Sequence, residues 1–434
     1  MSEASSHLLD YDDKRLRAMS SRQYRTKAPA VNGNQFTSGG SVIQFDLPAN
    51  QDKTFLDFEN SYILVEVENT LAAGAGNSIT LEGKNGIYAM IQKVECLTAG
   101  QTLFTLDGYG ALQSIMSDLE TNTLYGGNAG RVLFGSGSDA AAGSTIAGGS
   151  ALTFAIPLQL NGLYNANKYI PLFSRDKLSF RITLQDARVG VVGANTTATS
   201  LRFNNPEFVT HQVQLGDDAM DAVGSAVDYQ FDIVSTDYRH TSAVLPAGVV
   251  SSVTNLGFAF SSCNKIIACM RTSTLIAGDT AKQVYSVGSR NKNSLNKASV
   301  LLNGMKIPQR EIISSVSNDS EVLAELMVAQ GSLASVAHSN RINNDGFNSY
   351  SEDTATGDTN ANIGSFVAVI GLENMRSDSD GLYSGVSSIG SVLQLDLGFD
   401  AGGVAAGNTL DVWCEYTAQY TLNMNGEQLY QVSV

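Results

Sequence analysis

Apolar and polar residues alternate along most of this chain in short runs separated by turn-forming residues. Ile43, Phe45 and Leu47 alternate with Gln44 and Asp46, a period of two that puts successive side chains on opposite faces of a strand. Ser61–Val67 is a second strand, rich in β-branched and aromatic residues. Ala89–Thr98 and Gln101–Leu106 flank Ala99-Gly100 and predict a hairpin. From Asp107 or Gly108 the period lengthens to that of a helix, which runs to about Glu120 with Leu112, Ile115, Met116 and Leu119 on one face. Thr153–Leu160, Leu178–Leu184 and Glu207–Leu215 return to the strand pattern.

The second half repeats this order. Val227–Val234, Ser252–Phe260 and Asn264–Arg271 read as strands, and Ala298–Asn303 with Met305–Ile312 form a hairpin around Asn303-Gly304. A helix over Ser320–Gln330 follows, with Ser320 as N-cap and Val322, Leu323, Leu326 and Met327 on its buried side. Phe366–Leu372, Ser391–Phe399 and Leu410–Leu422 close the half. Short sequence matches accompany the shared order. Gln44-Phe45-Asp46-Leu47 returns as Gln230-Phe231-Asp232-Ile233, and Gly162-Leu163-Tyr164 as Gly381-Leu382-Tyr383. Glu207-Phe208-Val209-Thr210 is echoed by Glu415-Tyr416-Thr417. A repeat this long is a duplicated domain rather than a solenoid. The expected division is an arm at 1–35, a first β domain at 36–215, a helical or turn-like linker at 216–226 and a second β domain at 227–434.

Composition sharpens this. The chain has 434 residues, 43% of them apolar, with 41 Gly and only 7 Pro; many short strands joined by Asn-Gly and Asp-Gly turns indicate an all-β protein. Residues 125–150 and 189–199, rich in Gly, Ala and Ser or Thr, and the polar stretch 338–363 read as surface loops or disordered segments. Net charge is −15, yet residues 1–40 hold six basic and four acidic residues, so the remainder carries −17. An acidic body excludes a protein whose whole surface clamps nucleic acid. The arm is basic through Lys14, Arg15, Arg17, Arg22, Arg25 and Lys27, and Leu8, Leu9, Tyr11, Leu16 and Met19 give it a partial helical stripe near 6–19. A solvated, flexible terminus is the plainer reading of the same residues. The start shows no apolar signal-peptide core and no run approaches a membrane span. Cys96, Cys263, Cys269 and Cys414 are scattered, as buried free thiols in a reducing compartment are; a Cys263–Cys269 bridge is the alternative. These features predict a soluble chain made in a cytoplasm.

Catalytic constellations are missing. Gly83-Lys84 lacks the earlier glycine of a phosphate loop, and Gly385-Val-Ser-Ser-Ile-Gly390 has its second glycine one place too far for a nucleophile elbow. His7, His211, His240 and His338 have no metal-ligand spacing. Asp237-Tyr-Arg-His240 offers an acid and a base on one strand, but reads better as a strand end. Asp378-Ser379-Asp380 and Glu352-Asp353 lack the calcium-loop pattern. Trp413 alternates with Val412 and Cys414 in the last strand, as a core or interface residue. No cofactor, metal or small-molecule substrate is expected, and no enzyme.

Three stretches of the second half resemble the double-jelly-roll major capsid proteins of tailless icosahedral DNA viruses, the lineage of adenovirus hexons, membrane-containing phages, virophages and polinton-like viruses. Leu302-Asn-Gly-Met-Lys-Ile-Pro308, then Glu311-Ile312 and the helix with Glu325-Leu326, is similar to that family's strand–turn–strand–helix unit. Ser365-Phe-Val-Ala-Val-Ile-Gly-Leu-Glu373 resembles a strand ending in an acidic residue, with Gly371 where a polar residue is usual. Asp411-Val-Trp-Cys-Glu-Tyr416 through Asn425-Gly426 resembles the closing strand. In the first half Phe45-Asp46-Leu47-Pro48 and Tyr62–Val67 fit the opening, so the likeness spans about 36–434.

The resemblance implies two tandem eight-stranded jelly rolls with short inserted helices and long surface loops. It implies a structural subunit that forms pseudo-hexagonal homotrimeric capsomers tiling an icosahedral shell, located in the virion after synthesis in the host cytoplasm. Its implied partners are itself, neighbouring capsomers, penton and minor capsid proteins. The arm residues Leu8, Leu9, Tyr11, Lys14, Arg15, Leu16, Arg17, Met19, Arg22, Arg25 and Lys27 would meet a neighbour, an inner membrane or the genome. The loops 125–150 and 338–363 would share one end of the lobes. Two rival classes remain: a two-domain β-sandwich adhesin or glycan-binding protein, which calls for a signal peptide and exposed aromatics, and a β-sandwich hydrolase, which needs paired carboxylates in a cleft.

Overall fold

The structure, a computed structural model, describes residues 21–49, 51–74, 76–98, 101–121, 123–137, 143–166, 168–173, 176–226, 230–272, 287–314, 319–333, 342, 347, 364–373, 385–404, 408–423 and 429–433. In the first half the strands are β1 (Ser21–Pro29), β2 (Gln35–Thr37), β3 (Val42–Asp46), β4 (Thr54–Asn69), β5 (Ile79–Leu81), β6 (Ile91–Thr98), β7 (Gln101–Asp107), β8 (Thr145–Ile146), β9 (Ala151–Ile156), β10 (Ile170–Pro171), β11 (Leu178–Leu184), β12 (Val191–Val192) and β13 (Leu201–Leu215). The second half contributes β14 (Gln230–Leu245), β15 (Ser251–Asn255), β16 (Cys263–Thr272), β17 (Leu295–Leu302), β18 (Met305–Ile313), β19 (Ala368–Gly371), β20 (Leu393–Phe399), β21 (Asn408–Asn423) and β22 (Leu429–Ser433). The helices are α1 (Tyr109–Glu120), α2 (Thr123–Gly127), α3 (Ala129–Phe134), α4 (Ala187–Gly190), α5 (Asp217–Ala226) and α6 (Ser320–Ala329).

Each half folds as two facing antiparallel sheets. In the first lobe they run β1-β13-β4-β10, with β9 also on β4, and β3-β11-β6-β7; in the second, β14-β21-β16-β19 and β15-β20-β17-β18. Taken in chain order, the eight strands on these two sheet paths of one lobe map one to one onto the eight of the other. β1 corresponds to β14, β3 to β15, β4 to β16, β6 to β17, β7 to β18, β10 to β19, β11 to β20 and β13 to β21. This is a double jelly roll, each lobe an eight-stranded sandwich. The helices α1 and α6 both follow the strand that ends the second sheet, β7 or β18, so they hold equivalent places.

Alternation builds the cores. Ile43 and Phe45 of β3 are buried while the positions between them are not. In the first lobe Phe58, Phe180 and Phe208 meet at ring separations of 5.3 to 6.0 Å. In the second, Leu295 and Leu397 of one sheet and Leu410 of the other are buried around one small internal gap. Asn303 and Gly304 both have positive φ (50° and 81°), the two-residue turn that an antiparallel hairpin's twist demands.

Four expectations need correction. First, residues 21–29, assigned to the arm, are β1, paired with β13 along its whole length from Ser21↔Leu215 to Pro29↔Glu207. Second, Gln44-Phe45-Asp46 lies on β3, whose counterpart is β15, whereas Gln230-Phe231-Asp232 lies on β14; that match is coincidence. The Glu-aromatic match does fall on equivalent strands, β13 and β21, while 381–383 lies outside the described residues. Third, 125–150 is not a bare loop. It holds most of α2, then α3 and β8, with Phe134 against Tyr88 at 5.1 Å and Ile146 buried opposite Ile79. Its small residues permit close backbone approach: a Cβ on Gly143 would lie 2.5 Å from the Gly135 carbonyl oxygen. Likewise β12, within 189–199, pairs with β5. Fourth, Asp319 rather than Ser320 stands at the N-cap of α6. Its carboxylate makes no capping bond because it accepts from Ser314 Oγ at 2.5 Å and pairs with Lys292 at 2.7 Å. Of the stretch 338–363 only Ile342 and Phe347 are described, Phe347 buried against Phe366 at 5.4 Å.

Candidate assembly surfaces and the junction between the lobes

Of the arm residues singled out by sequence, Leu8, Leu9, Tyr11, Lys14, Arg15, Leu16, Arg17 and Met19 lie outside the described residues. Arg22, Arg25 and Lys27 lie on β1, at the edge of the first lobe. Arg25 Nη2 donates to Tyr62 Oη at 2.8 Å and its guanidinium sits 5.8 Å from that ring centroid. Lys27 pairs with Glu207 at 2.6 Å. Both contacts lie on the outer face of the sheet. The register sets Lys27 beside Val209 and Tyr62, and Pro29 beside Glu207 and Leu64, while Ala28, Phe208 and Ile63 form the inward row between them. Arg202 clasps Glu68 with two bonds of 2.7 Å further along.

The equivalent outer face of the second lobe is covered by the first lobe. His240, Trp413, Ile267 and Val369 form one row across β14, β21, β16 and β19. Trp413, Ile267 and Val369 are buried. The Trp413 indole N–H donates to the Asp107 carbonyl at 3.4 Å, and the His240 ring lies tilted against the indole at 4.8 Å. Gly108 starts α1 in the left-handed region (φ 66°); a Cβ there would stand 3.2 Å from the Trp413 ring. Trp413 is thus an interface residue within one chain. His240 pairs with Asp411 at 3.0 Å and not with Asp237. Asp411 also receives Arg271, so its carboxyl, which burial alone would raise, is held below its ordinary value.

A buried ionic cluster ties α1 to the second lobe. Lys84 Nζ meets Asp118 at 2.9 Å and donates to the carbonyls of Gly288 at 3.1 Å and Gly364 at 3.3 Å. Arg290 reaches the same Asp118 oxygen and donates to Ser114 Oγ at 3.3 Å. Glu82 accepts the backbone N–H groups of Lys84 and Asn85 at 3.0 and 2.8 Å. Burial pushes the Glu82 carboxyl up and the Lys84 ammonium down. Burial would raise Asp118 as well, but the two cations beside it carry its carboxyl below the ordinary value. Sequence reasoning passed over these residues. Lys84 drew notice only as a failed phosphate loop, and the signal available was charge set among Gly and Asn with no periodic polar face.

Deeper in the junction Asp237 accepts from Tyr420 Oη at 3.1 Å, Tyr416 Oη at 3.3 Å and its neighbour's backbone N–H at 2.8 Å. Burial outweighs these donors and pushes its carboxyl up to about 6. Phe231 packs against Phe55 and Phe173 of the first lobe at 6.0 and 5.4 Å. All four cysteines are buried free thiols, with no Cys263–Cys269 bridge. Among the described residues no three His, Cys, Asp or Glu side chains are placed to hold a metal ion.

No protein-family model matches the sequence, and no curated protein matches it. Solved structures do. The chain is similar to the faustovirus major capsid protein at 9% identity and a TM-score of 0.63, over 95% of this chain and 92% of that one. It is similar to VP54 of PBCV-1, fitted into a reconstruction of the virophage Sputnik, at 11% identity and a TM-score of 0.61, over 97% and 99% of the two chains. For the mavirus major capsid protein the values are 10% and 0.54, over 99% and 95%. At these identities the likeness is one of fold, and it runs over nearly the whole of each chain.

Proposed function

We propose that this chain is the major capsid protein of an icosahedral DNA virus, a structural subunit without catalytic activity. Its two lobes would make homotrimers of nearly hexagonal outline that tile the shell. One observation carries the reading: the double jelly roll extends over almost the whole of this chain and almost the whole of several viral capsid proteins. Single jelly rolls serve many functions, but here the match runs over two fused copies. Mature protein would reside in the virion after synthesis in the host cytoplasm. Its partners would be its own copies, penton and minor capsid proteins. Residues 1–20, which precede β1 and carry Lys14, Arg15 and Arg17 with the Leu8–Met19 stripe, would reach a neighbouring capsomer, a minor protein, a membrane or the genome on the inner side. The acidic body favours soluble capsomers before assembly. Purified chain should elute as a trimer by light scattering and give hexagonal outlines or shells in micrographs. A stable monomer that binds glycan would overturn the proposal.

A further inference from the structure

The first lobe departs from the second at one point of its sheet. Between the pairs Tyr62↔Val209 and Asp57↔His211, the β4 residues Phe58, Glu59, Asn60 and Ser61 stand opposite Thr210 alone. On the other edge of β4, β10 pairs only with Phe55 and Leu56, and β9 only from Ile63 to Glu68. Residues 57–62 therefore have no neighbouring strand on that edge among the described residues. The corresponding strand β16 bulges by a single residue, Asn264. A local break in an otherwise repeated pattern is where a site is to be sought. The β4 bulge is pinned from within. Asp57 accepts from the Asn60 backbone N–H at 3.2 Å and from its Nδ2 at 2.8 Å, and Ser61 Oγ donates to the Asp57 carbonyl at 2.6 Å. Glu59 and Asn60 are thereby turned out to solvent.

A cavity of about 320 Å³ opens in this gap, walled by the bulge, by Leu163 and Tyr164, and by Lys168 and Tyr169. That volume is at the lower end of the range of small-ligand sites. Its floor is fixed. Asn161 Oδ1 accepts the backbone N–H groups of Leu163 and Tyr164 at 3.1 and 2.9 Å, and the Tyr164 ring meets Phe58 edge-on at 6.4 Å. Its rim is open. Tyr169 is 54% exposed, and Glu59 and Lys168, both exposed, make no ion pair or hydrogen bond among the described residues. The lining thus offers carboxylate acceptors, ammonium and amide donors, and two phenol rings. An anion would meet Asp57 and Glu59. A metal ion finds no third ligand among the described residues. An apolar molecule would bury charges without partners. A sugar fits all of these groups, because each hydroxyl both donates and accepts while a C–H face of the ring lies against an aromatic side chain.

We propose that this cleft binds a saccharide, one sugar ring lying on Tyr169 with its hydroxyls donating to Glu59 and accepting from Lys168. Both Asp57 oxygens already accept from Asn60, so Glu59 is the free carboxylate of the cleft. It holds a sugar and has no second free carboxylate with which to cleave one. Neutral and amino sugars are favoured over acidic ones, because carboxylates outnumber the ammonium. Full-length protein is applied to an array of neutral, amino and acidic oligosaccharides. The strongest binder is then titrated in solution by saturation-transfer NMR, and its mass is read afterwards. Binding without cleavage is expected, with affinity lowered roughly tenfold or more in Tyr169→Ala and in Glu59→Gln. Met305→Ala, at an exposed position of the second lobe, should bind as the wild type does. The two cleft side chains are exposed, so melting temperatures should match the wild type. Folded protein that retains no sugar overturns the proposal. So does binding that either cleft variant preserves, a preference for acidic sugars, or cleavage of the bound sugar. Oligomeric state is measured on the same samples: a trimer that binds no sugar strikes out the cleft and leaves the capsid reading standing.

Discussion

At the scale of single residues, the junction between the lobes holds groups whose cost depends on conditions. Asp237 has an ordinary value near 3.8 in the unfolded chain and about 6 when folded. The folded state therefore holds its proton more tightly. The associated stability is fully present below about pH 4 and is lost as pH rises through 6, up to roughly 3 kcal/mol. Asp237→Asn, which cannot ionise, should match the wild type near pH 4 and exceed it above pH 6 in denaturant titrations run at both. Parallel profiles would assign the titration elsewhere. Gly108 is constrained twice, by its left-handed φ and by the Trp413 ring. Gly108→Ala should cost about 1–2 kcal/mol and shift the emission of Trp413, the only tryptophan in the chain; unchanged emission would mean the ring does not feel that position.

At the scale of elements, β1 carries the largest revision. A basic, polar stretch reads as an arm because no local pattern marks it as a strand. Only Tyr24, Thr26 and Ala28 turn partly inward, and the strand gains its stability from the backbone ladder with β13. Removing residues 2–20 should leave soluble, cooperatively folding chain. Removing 2–29 should not, because β13 would keep β4 on one side but lose its other neighbour over nine residue pairs and become an open edge. Soluble yield and melting temperature of the two truncations decide this, and equal behaviour would show β1 to be dispensable. The same comparison separates the arm's role in assembly from its role in the fold.

At the scale of the whole molecule, the cluster of Glu82, Lys84, Asp118 and Arg290 makes two sandwiches into one body. Buried charges earn little net stability when paired, but removing one partner is expensive. Lys84→Met would take the ammonium donor from the Gly288 carbonyl, take one of two donors from the Gly364 carbonyl, which keeps the Arg290 backbone N–H, and leave Asp118 to Arg290 alone. The expected loss is about 3–5 kcal/mol, insensitive to added salt because the site is buried. Calorimetry should then resolve two transitions, one per lobe, where the wild type has one. A single transition at an unchanged temperature would locate the coupling in the aromatic contacts of Phe231 and Trp413 instead.

The alternation of Ile43 with Phe45, the Asn303-Gly304 turn and the helical periods before Glu120 and Ala329 are local facts, set by backbone geometry and side-chain spacing, and they were legible in the sequence. The repeated strand–helix order was legible for the same reason. Pairing partners were not, since Gln44-Phe45-Asp46 and Gln230-Phe231-Asp232 look alike yet occupy different sheets. Nor was the burial of Lys84 and Arg290, because burial of a charge depends on groups more than a hundred residues away in the chain. The outer faces of two like sheets carry Trp413 in one lobe and Lys27 in the other; that Trp413 is covered was decided only when Asp107 and Gly108 of the first lobe closed against it.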